Sequence, residues 1–170
     1  MLFLIFIPIV LAIFTFLFKN KTFNKLGFIS IIVEALFVYN LFNEVLIKGA
    51  QSIIIGGYSD LIGINLKVDY TTFIFLIVSL IVWLGSFLYS LNKWEKDYKF
   101  YFFLHFLRGC FYGLIFSNDL FNIFVFIEII SVISAILVIY KKDGFSIRAA
   151  MYYLLFNSVG MIFYLIGLII

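Results

Sequence analysis

The chain has 170 residues, 65% of them apolar and 12% charged, where an ordinary soluble domain carries about 45–50% and about 25%. With a mean hydropathy of +1.19, 24 Phe and one Pro, this composition excludes a water-soluble fold, a disordered chain and a fibre. The net charge of +3 comes from short basic groups set between apolar runs, which excludes nucleic acid as a partner, and one Cys with one His excludes a disulfide framework, an iron–sulfur cluster and a multi-histidine metal site. The lipid bilayer is the expected solvent.

A helix needs about 20 residues to cross a hydrocarbon core of about 30 Å. Six runs meet that length with few charges: 2–18, 26–47, 70–91, 100–116, 120–140 and 147–170. The remainder is too short for a soluble domain, so residues 1–170 read as a single transmembrane domain. The first run lacks a basic leader and a small-residue cleavage site before Lys19, and it carries Pro8, so it reads as a retained helix rather than a signal peptide. Nine of the twelve Lys and Arg fall in the first, third and fifth connections: Lys19, Lys21, Lys25, Lys93, Lys96, Lys99, Lys141, Lys142 and Arg148. Lys48 and Lys67 alone lie on the other side, and Arg108 is inside a helix. Basic loops stay on the side from which a membrane protein inserts, so the N-terminus faces outward. In the outer connection 48–69, β-branched residues flank Gly56-Gly57 and Ser59-Asp60, which predicts a short β-hairpin on the membrane surface. The sixth run ends in Leu165-Ile166-Gly167-Leu168-Ile169-Ile170 without an interfacial anchor. Either its carboxylate serves as the anchor, or the chain is the front part of a larger unit.

Ionisable groups within a membrane helix cost at least about 2.5–3.5 kcal/mol on insertion scales, so each is a functional candidate. Glu34, His105, Arg108 and Glu128 lie away from the ends of their runs, whereas Glu44, beside Asn40 and Asn43, reads as a solvated helix end. Glu34 is about 13 Å beyond Lys25 and serves either as a proton relay or as a protonated carboxyl bonded to a backbone carbonyl. His105, about 9 Å into the fourth run, is either a core residue or a proton carrier. Gly109 and Gly113 form Gly-x-x-x-Gly, a helix-packing signal, and Cys110 reads as a small buried apolar residue. In the fifth run, Asn118 or Asp119 caps the helix, Glu128 falls near the midplane, and Ser131 shares its face. Arg108 and Glu128 each stand about 15 Å from the turn at Ser117-Asn118, so they are level in the membrane. If helix rotation brings them together, the arginine favours the ionised carboxylate. The other reading is that Arg108 reaches away to water or to a neighbouring polypeptide.

The string Asp119-Leu120-Phe121-Asn122-Ile123-Phe124-Val125-Phe126-Ile127-Glu128 resembles the fifth-helix signature of the antiporter-like family. That family comprises the D-type subunits of Mrp-type cation/proton antiporters, their counterparts in membrane-bound hydrogenases, and the pumping subunits of respiratory complex I. Gly56-Gly57-Tyr58, Gly63-Ile64 and Val68-Asp69 resemble the D-type Mrp branch, and residues 149–158 are similar to the start of its sixth helix. Met151, where the family often has lysine, and an outer loop without proline are departures.

The resemblance implies an outward N-terminus and makes Glu128 the match to the family's proton-handling glutamate. In the family that glutamate works with a lysine on a broken seventh helix, which this chain does not contain, so the likeness covers the N-terminal third of such a protein. The expected fold is an all-α polytopic membrane protein of six transmembrane helices with an outer β-hairpin. The expected function is that of a subunit or fragment of a proton-translocating complex in the cell inner membrane. Glu128 passes the proton, Glu34 and His105 are relay groups, and Arg108 is a proton-handling candidate whose contact with Glu128 depends on helix rotation. Partners are the bilayer, other membrane subunits supplying the missing helices, protons and monovalent cations. With no dinucleotide fingerprint, P-loop or ligand set, no cofactor, metal or enzymatic chemistry is expected on this chain. The alternative is a non-transporting scaffold, a truncated remnant packed against a larger complex.

Overall fold

The computed structural model describes residues 1–19, 21–56, 63–94 and 97–169. Within them the elements run α1 (Leu2–Phe18), α2 (Lys21–Lys48), β1 (Gln51–Ile55), β2 (Ile64–Val68), α3 (Tyr70–Trp94), α4 (Tyr98–Phe116), α5 (Leu120–Ile139) and α6 (Gly144–Ile169). Each apolar run has become a helix. Helices α2, α3 and α6 extend past their apolar runs, because hydropathy marks the part suited to lipid while the helix continues into polar surroundings.

Aspartates start four of these helices. Asp97 Oδ1 accepts from the amides of Lys99 (3.1 Å) and Phe100 (3.4 Å), and Asp119 Oδ1 accepts from that of Asn122 (2.6 Å). Asp143 Oδ1 accepts from the amide of Ser146 (2.6 Å). At α3 the cap is reciprocal: the Thr72 amide donates to Asp69 Oδ1 (3.0 Å) and the Asp69 amide to Thr72 Oγ1 (3.2 Å). These carboxylates satisfy first-turn amides and sit at the positive end of the helix dipole. The amide of Thr72 holds the Asp69 carboxyl below its usual range, and the side chain and amide of Ser146 do the same for Asp143.

The predicted hairpin forms as an antiparallel pair running from Gln51 opposite Val68 to Ile55 opposite Ile64. Its turn, 57–62, lies outside the described residues. Leu66 and Val68 point into the bundle and are buried. Leu66 forms a bridge with Ser117, and the amide of Asn118 donates to the carbonyl of Asn65 (2.9 Å). The hairpin therefore sits on the α4–α5 junction, at the same end of the bundle as the α2–α3 connection. At the opposite end, Phe16 and Lys19 of the α1 region meet Tyr98, and Phe100 meets Tyr140.

The protein is a multi-pass membrane protein in which α2, α3, α5 and α6 are each long and apolar enough to cross a bilayer. Helix α1 is apolar but has 17 residues. Helix α4 carries Lys99, His105 and Arg108, which lower its hydropathy. It nonetheless occupies the centre, packed against α1, α2, α3 and α5. A helix surrounded by protein need not be apolar toward lipid, and α4 is free to hold polar groups that its neighbours satisfy.

Candidate functional site

Three of the four candidate residues separate from the fourth. Arg108, Glu34 and His105 are each fully buried and meet between α2, α3 and α4. Arg108 Nη2 lies 2.6 Å from Ser30 Oγ and 3.3 Å from His105 Nδ1. It also stands 3.2 Å from Glu34 Oε1. The last contact is ionic rather than a directed hydrogen bond, since Oε1 has no partner in hydrogen-bonding alignment. Glu34 Oε2 accepts from the Tyr112 hydroxyl (3.0 Å), and Arg108 Nη1 reaches the carbonyl of Gly27 (3.5 Å). The guanidinium lies 5.5 Å from the centre of the Phe87 ring, which also lies tilted against His105 with ring centres 4.9 Å apart.

Local sequence explains the convergence. On α4, Tyr101, His105, Arg108 and Tyr112 recur at i, i+4, i+7 and i+11, so they share one face. On α2, Ser30 and Glu34 are one turn apart and share the face that answers it. Gly27 permits the close approach: a Cβ there would run into the rings of Phe87 and His105. Sequence reasoning singled out Glu34, His105 and Arg108 but missed Ser30, Tyr101 and Tyr112. The signal was present in that helical spacing of polar residues within an apolar run.

Glu128 stands elsewhere. It is the ninth residue of the 20-residue α5, about 12 Å from the helix start, and is half-buried. It lines a groove of about 430 Å³ between α4 and α5, with Phe102, Phe103 and Phe106 on one wall and Ile129, Val132 and Ile133 on the other. Among the described residues, none bonds its carboxylate. Of the two readings of Arg108, the pairing with Glu128 does not form; the arginine turns away from it and pairs with Glu34. Arg108 and Glu128 are level, but Phe102, Phe103 and Phe106 occupy the face of α4 opposite to that of Arg108, as 3.6 residues per turn requires. Nor does Ser131 serve the carboxylate, because its hydroxyl donates to the backbone carbonyl of Glu128 (2.8 Å).

The two glycines of α4 serve different neighbours. A Cβ at Gly109 would meet Ile9 Cγ1 at 2.5 Å and the carbonyl of Ile5 at 3.2 Å, so this glycine seats α1. One at Gly113 would strike the Phe126 ring of α5. Cys110 is buried and free. Among the described residues, no cluster of His, Cys, Asp and Glu suited to a metal ion occurs. Helix α6 is the most open element: Phe156, Phe163 and Ile169 are exposed, and a Cβ on Gly160 would meet nothing within 4 Å. Its described polar link to α5 is the Tyr164 hydroxyl on the carbonyl of Leu120 (3.0 Å).

Comparison with known proteins points the same way as the fifth-helix string. A family model described as NADH:quinone oxidoreductase/Mrp antiporter, TM matches residues 117–170. The chain is 28% identical over 172 residues to the D-type subunit of a Na(+)/H(+) antiporter of Bacillus subtilis, covering 96% of this chain and 34% of that protein. It is 27% identical over 169 residues to the corresponding D-type antiporter protein of Alkalihalophilus pseudofirmus, with the same coverage of 96% and 34%. Among solved structures, a chain of the membrane-bound sulfane sulfur reductase, an archaeal respiratory membrane complex, superposes with a TM-score of 0.81 at 28% identity. That match covers 97% of this chain and 35% of the other. The chain thus resembles D-type antiporter subunits and a chain of a respiratory membrane complex over nearly its whole length, and spans about one third of each.

Proposed function

We propose that this chain is part of a proton-translocating complex of the cytoplasmic membrane, of the kind built around the D-type subunit of Mrp cation/proton antiporters. It is a transport component rather than a catalyst of covalent chemistry. All six helices span the membrane, with the N-terminus and the hairpin outward, in keeping with nine basic residues in and beside the first, third and fifth connections of the sequence and two in the second. Further helices, from another polypeptide or another part of the same unit, cover the open face of α6 around Asn157 and Gly160. Gly160 is exposed with nothing within 4 Å of where a Cβ would stand, and small residues allow close helix approach.

Glu128 carries the proton. One observation supports this above the rest: its carboxylate lines an open groove near the middle of a membrane helix, with no bonding partner among the described residues. A carboxylate already locked in an ion pair gives up and takes protons poorly, whereas one facing an open groove is free to meet a group brought by a neighbouring helix. Sodium and potassium are candidate coupled cations. The assay is proton movement in liposomes carrying the chain with the subunits that co-purify in mild detergent. Glu128→Gln abolishes transfer and Glu128→Asp retains part of it; full activity in Glu128→Gln refutes the assignment and leaves the scaffold reading in its place.

A further inference from the structure

At the end of the bundle away from the hairpin, two lysines meet at one aromatic ring. Lys19 Nζ, just past the end of α1, lies 5.8 Å from the centre of the Tyr98 ring, and Lys99 Nζ, in the first turn of α4, lies 6.0 Å from it. Both side chains are exposed, and their flexible four-carbon stems let the two ammonium groups reach a common anionic group. Among the described residues neither forms an ion pair. Two carboxylates described at this end are already engaged: Asp97 caps α4 through the amides of Lys99 and Phe100, and Asp143 caps α6 and stands 3.9 Å from Lys141. Nor does α4 itself favour Lys99, because the positive end of a helix dipole repels a cation.

From these lysines an apolar strip runs into the membrane. Phe16, exposed on α1, lies 6.3 Å from Tyr98 and 5.3 Å from Phe102 between ring centres, and Phe102 stacks on Phe106 at 6.0 Å. From Tyr98 to Phe106 the strip covers about 12 Å of helix axis, close to the hydrocarbon depth of one leaflet, about 15 Å. Phe102 and Phe106 also wall the groove between α4 and α5, which has Ile136 toward this end and Glu128 toward the other. An aromatic ring and two cations at headgroup level, over an apolar strip one leaflet deep, match an anionic phospholipid in charge at the top and in hydrophobicity below.

We infer that Lys19, Tyr98 and Lys99 form a binding site for an anionic phospholipid, its phosphate held by the two ammonium groups and an acyl chain lying along Phe16, Phe102 and Phe106. The inference requires only that the bundle cross a membrane and is independent of the role of Glu128.

Photocrosslinking in the native membrane, with the chain in the assembly it forms there, tests it. A p-benzoylphenylalanine probe placed at Phe102 attaches to its neighbour on irradiation, and mass spectrometry of the adduct identifies that neighbour. The same probe at Leu88, exposed on α3, reports the surrounding lipid. Anionic over zwitterionic phospholipid is enriched at Phe102 relative to Leu88 by about tenfold or more, and Lys19→Gln and Lys99→Gln each lower that enrichment about fivefold. Lys19→Arg and Lys99→Arg keep it, and so do Lys48→Gln and Lys67→Gln in the second connection. If the glutamine variants do not insert, raised salt on the unaltered lysines lowers the enrichment instead, because exposed charges are screened. The same lipid composition at both positions overturns the site. So does an enrichment that survives loss of both lysines, or an adduct to protein in place of lipid at Phe102, which gives this face to a neighbouring polypeptide.

Discussion

Glu34 and Arg108 form an ion pair with both side chains fully buried, and a double-mutant cycle on them gives a quantitative test. At the observed 3.2 Å and an effective dielectric of about 20, their attraction is about 5 kcal/mol. Withdrawing two charges from water costs several kcal/mol per ion, so the intact pair contributes little net stability. Removing one partner is different, because the other charge remains buried alone. Glu34→Leu and Arg108→Met should therefore each destabilise the fold by about 3–5 kcal/mol. The double variant should cost less than either single change, because it replaces the pair with apolar contacts. The assay is equilibrium unfolding in mixed detergent micelles, followed by the fluorescence of Trp83, which is buried against Phe111 at 5.7 Å between ring centres. Tyr112→Phe, which removes one hydrogen bond to a charged group, should cost about 1.5–3 kcal/mol. If the Glu34 and Arg108 costs simply add in the double variant, the two groups do not act as a pair and the reasoning from burial fails.

The remaining predictions concern packing, capping and orientation. Gly109→Ala should cost about 1–3 kcal/mol by forcing α1 off α4, whereas Gly160→Ala, with open space around it within this chain, should be neutral or slightly stabilising when the chain is measured without its partners; equal thermal shifts would contradict this packing. Asp69→Ala should cost about 1 kcal/mol at neutral pH by removing the α3 cap. Because the native carboxyl is held below its usual range, that contribution is present above about pH 4 and disappears as pH falls further through the native value. A difference that persists undiminished at lower pH would show that the cap does not depend on charge. In intact cells, an impermeant thiol reagent should label Lys67→Cys but not Lys141→Cys; the reverse pattern would invert the proposed orientation.

Much of the architecture was legible from the residues because the bilayer imposes simple rules. A run of apolar residues about as long as the hydrocarbon is thick must satisfy its backbone internally, so it becomes a helix. The hairpin was legible too, from β-branched strands on either side of a turn-forming stretch. The site was legible only in part. Glu34, His105, Arg108 and Glu128 stood out because ionisable groups are costly in a membrane, but equal depth made Arg108 and Glu128 look like partners.

By itself, then, the sequence determined which segments become membrane-suited helices, how deep each ionisable group lies along its helix, and the resemblance carried by the fifth-helix string. Only the tertiary structure decided which of those groups meet. Depth follows from a rise per residue that is the same in every α-helix, but contact depends on how each helix is rotated and how closely its neighbours approach. Here that was settled by Gly27 admitting the rings of Phe87 and His105 against α2, and by Gly109 and Gly113 seating α1 and α5 against α4. That packing turns Arg108 toward Glu34 and leaves Glu128 on the other side of α4, facing its groove.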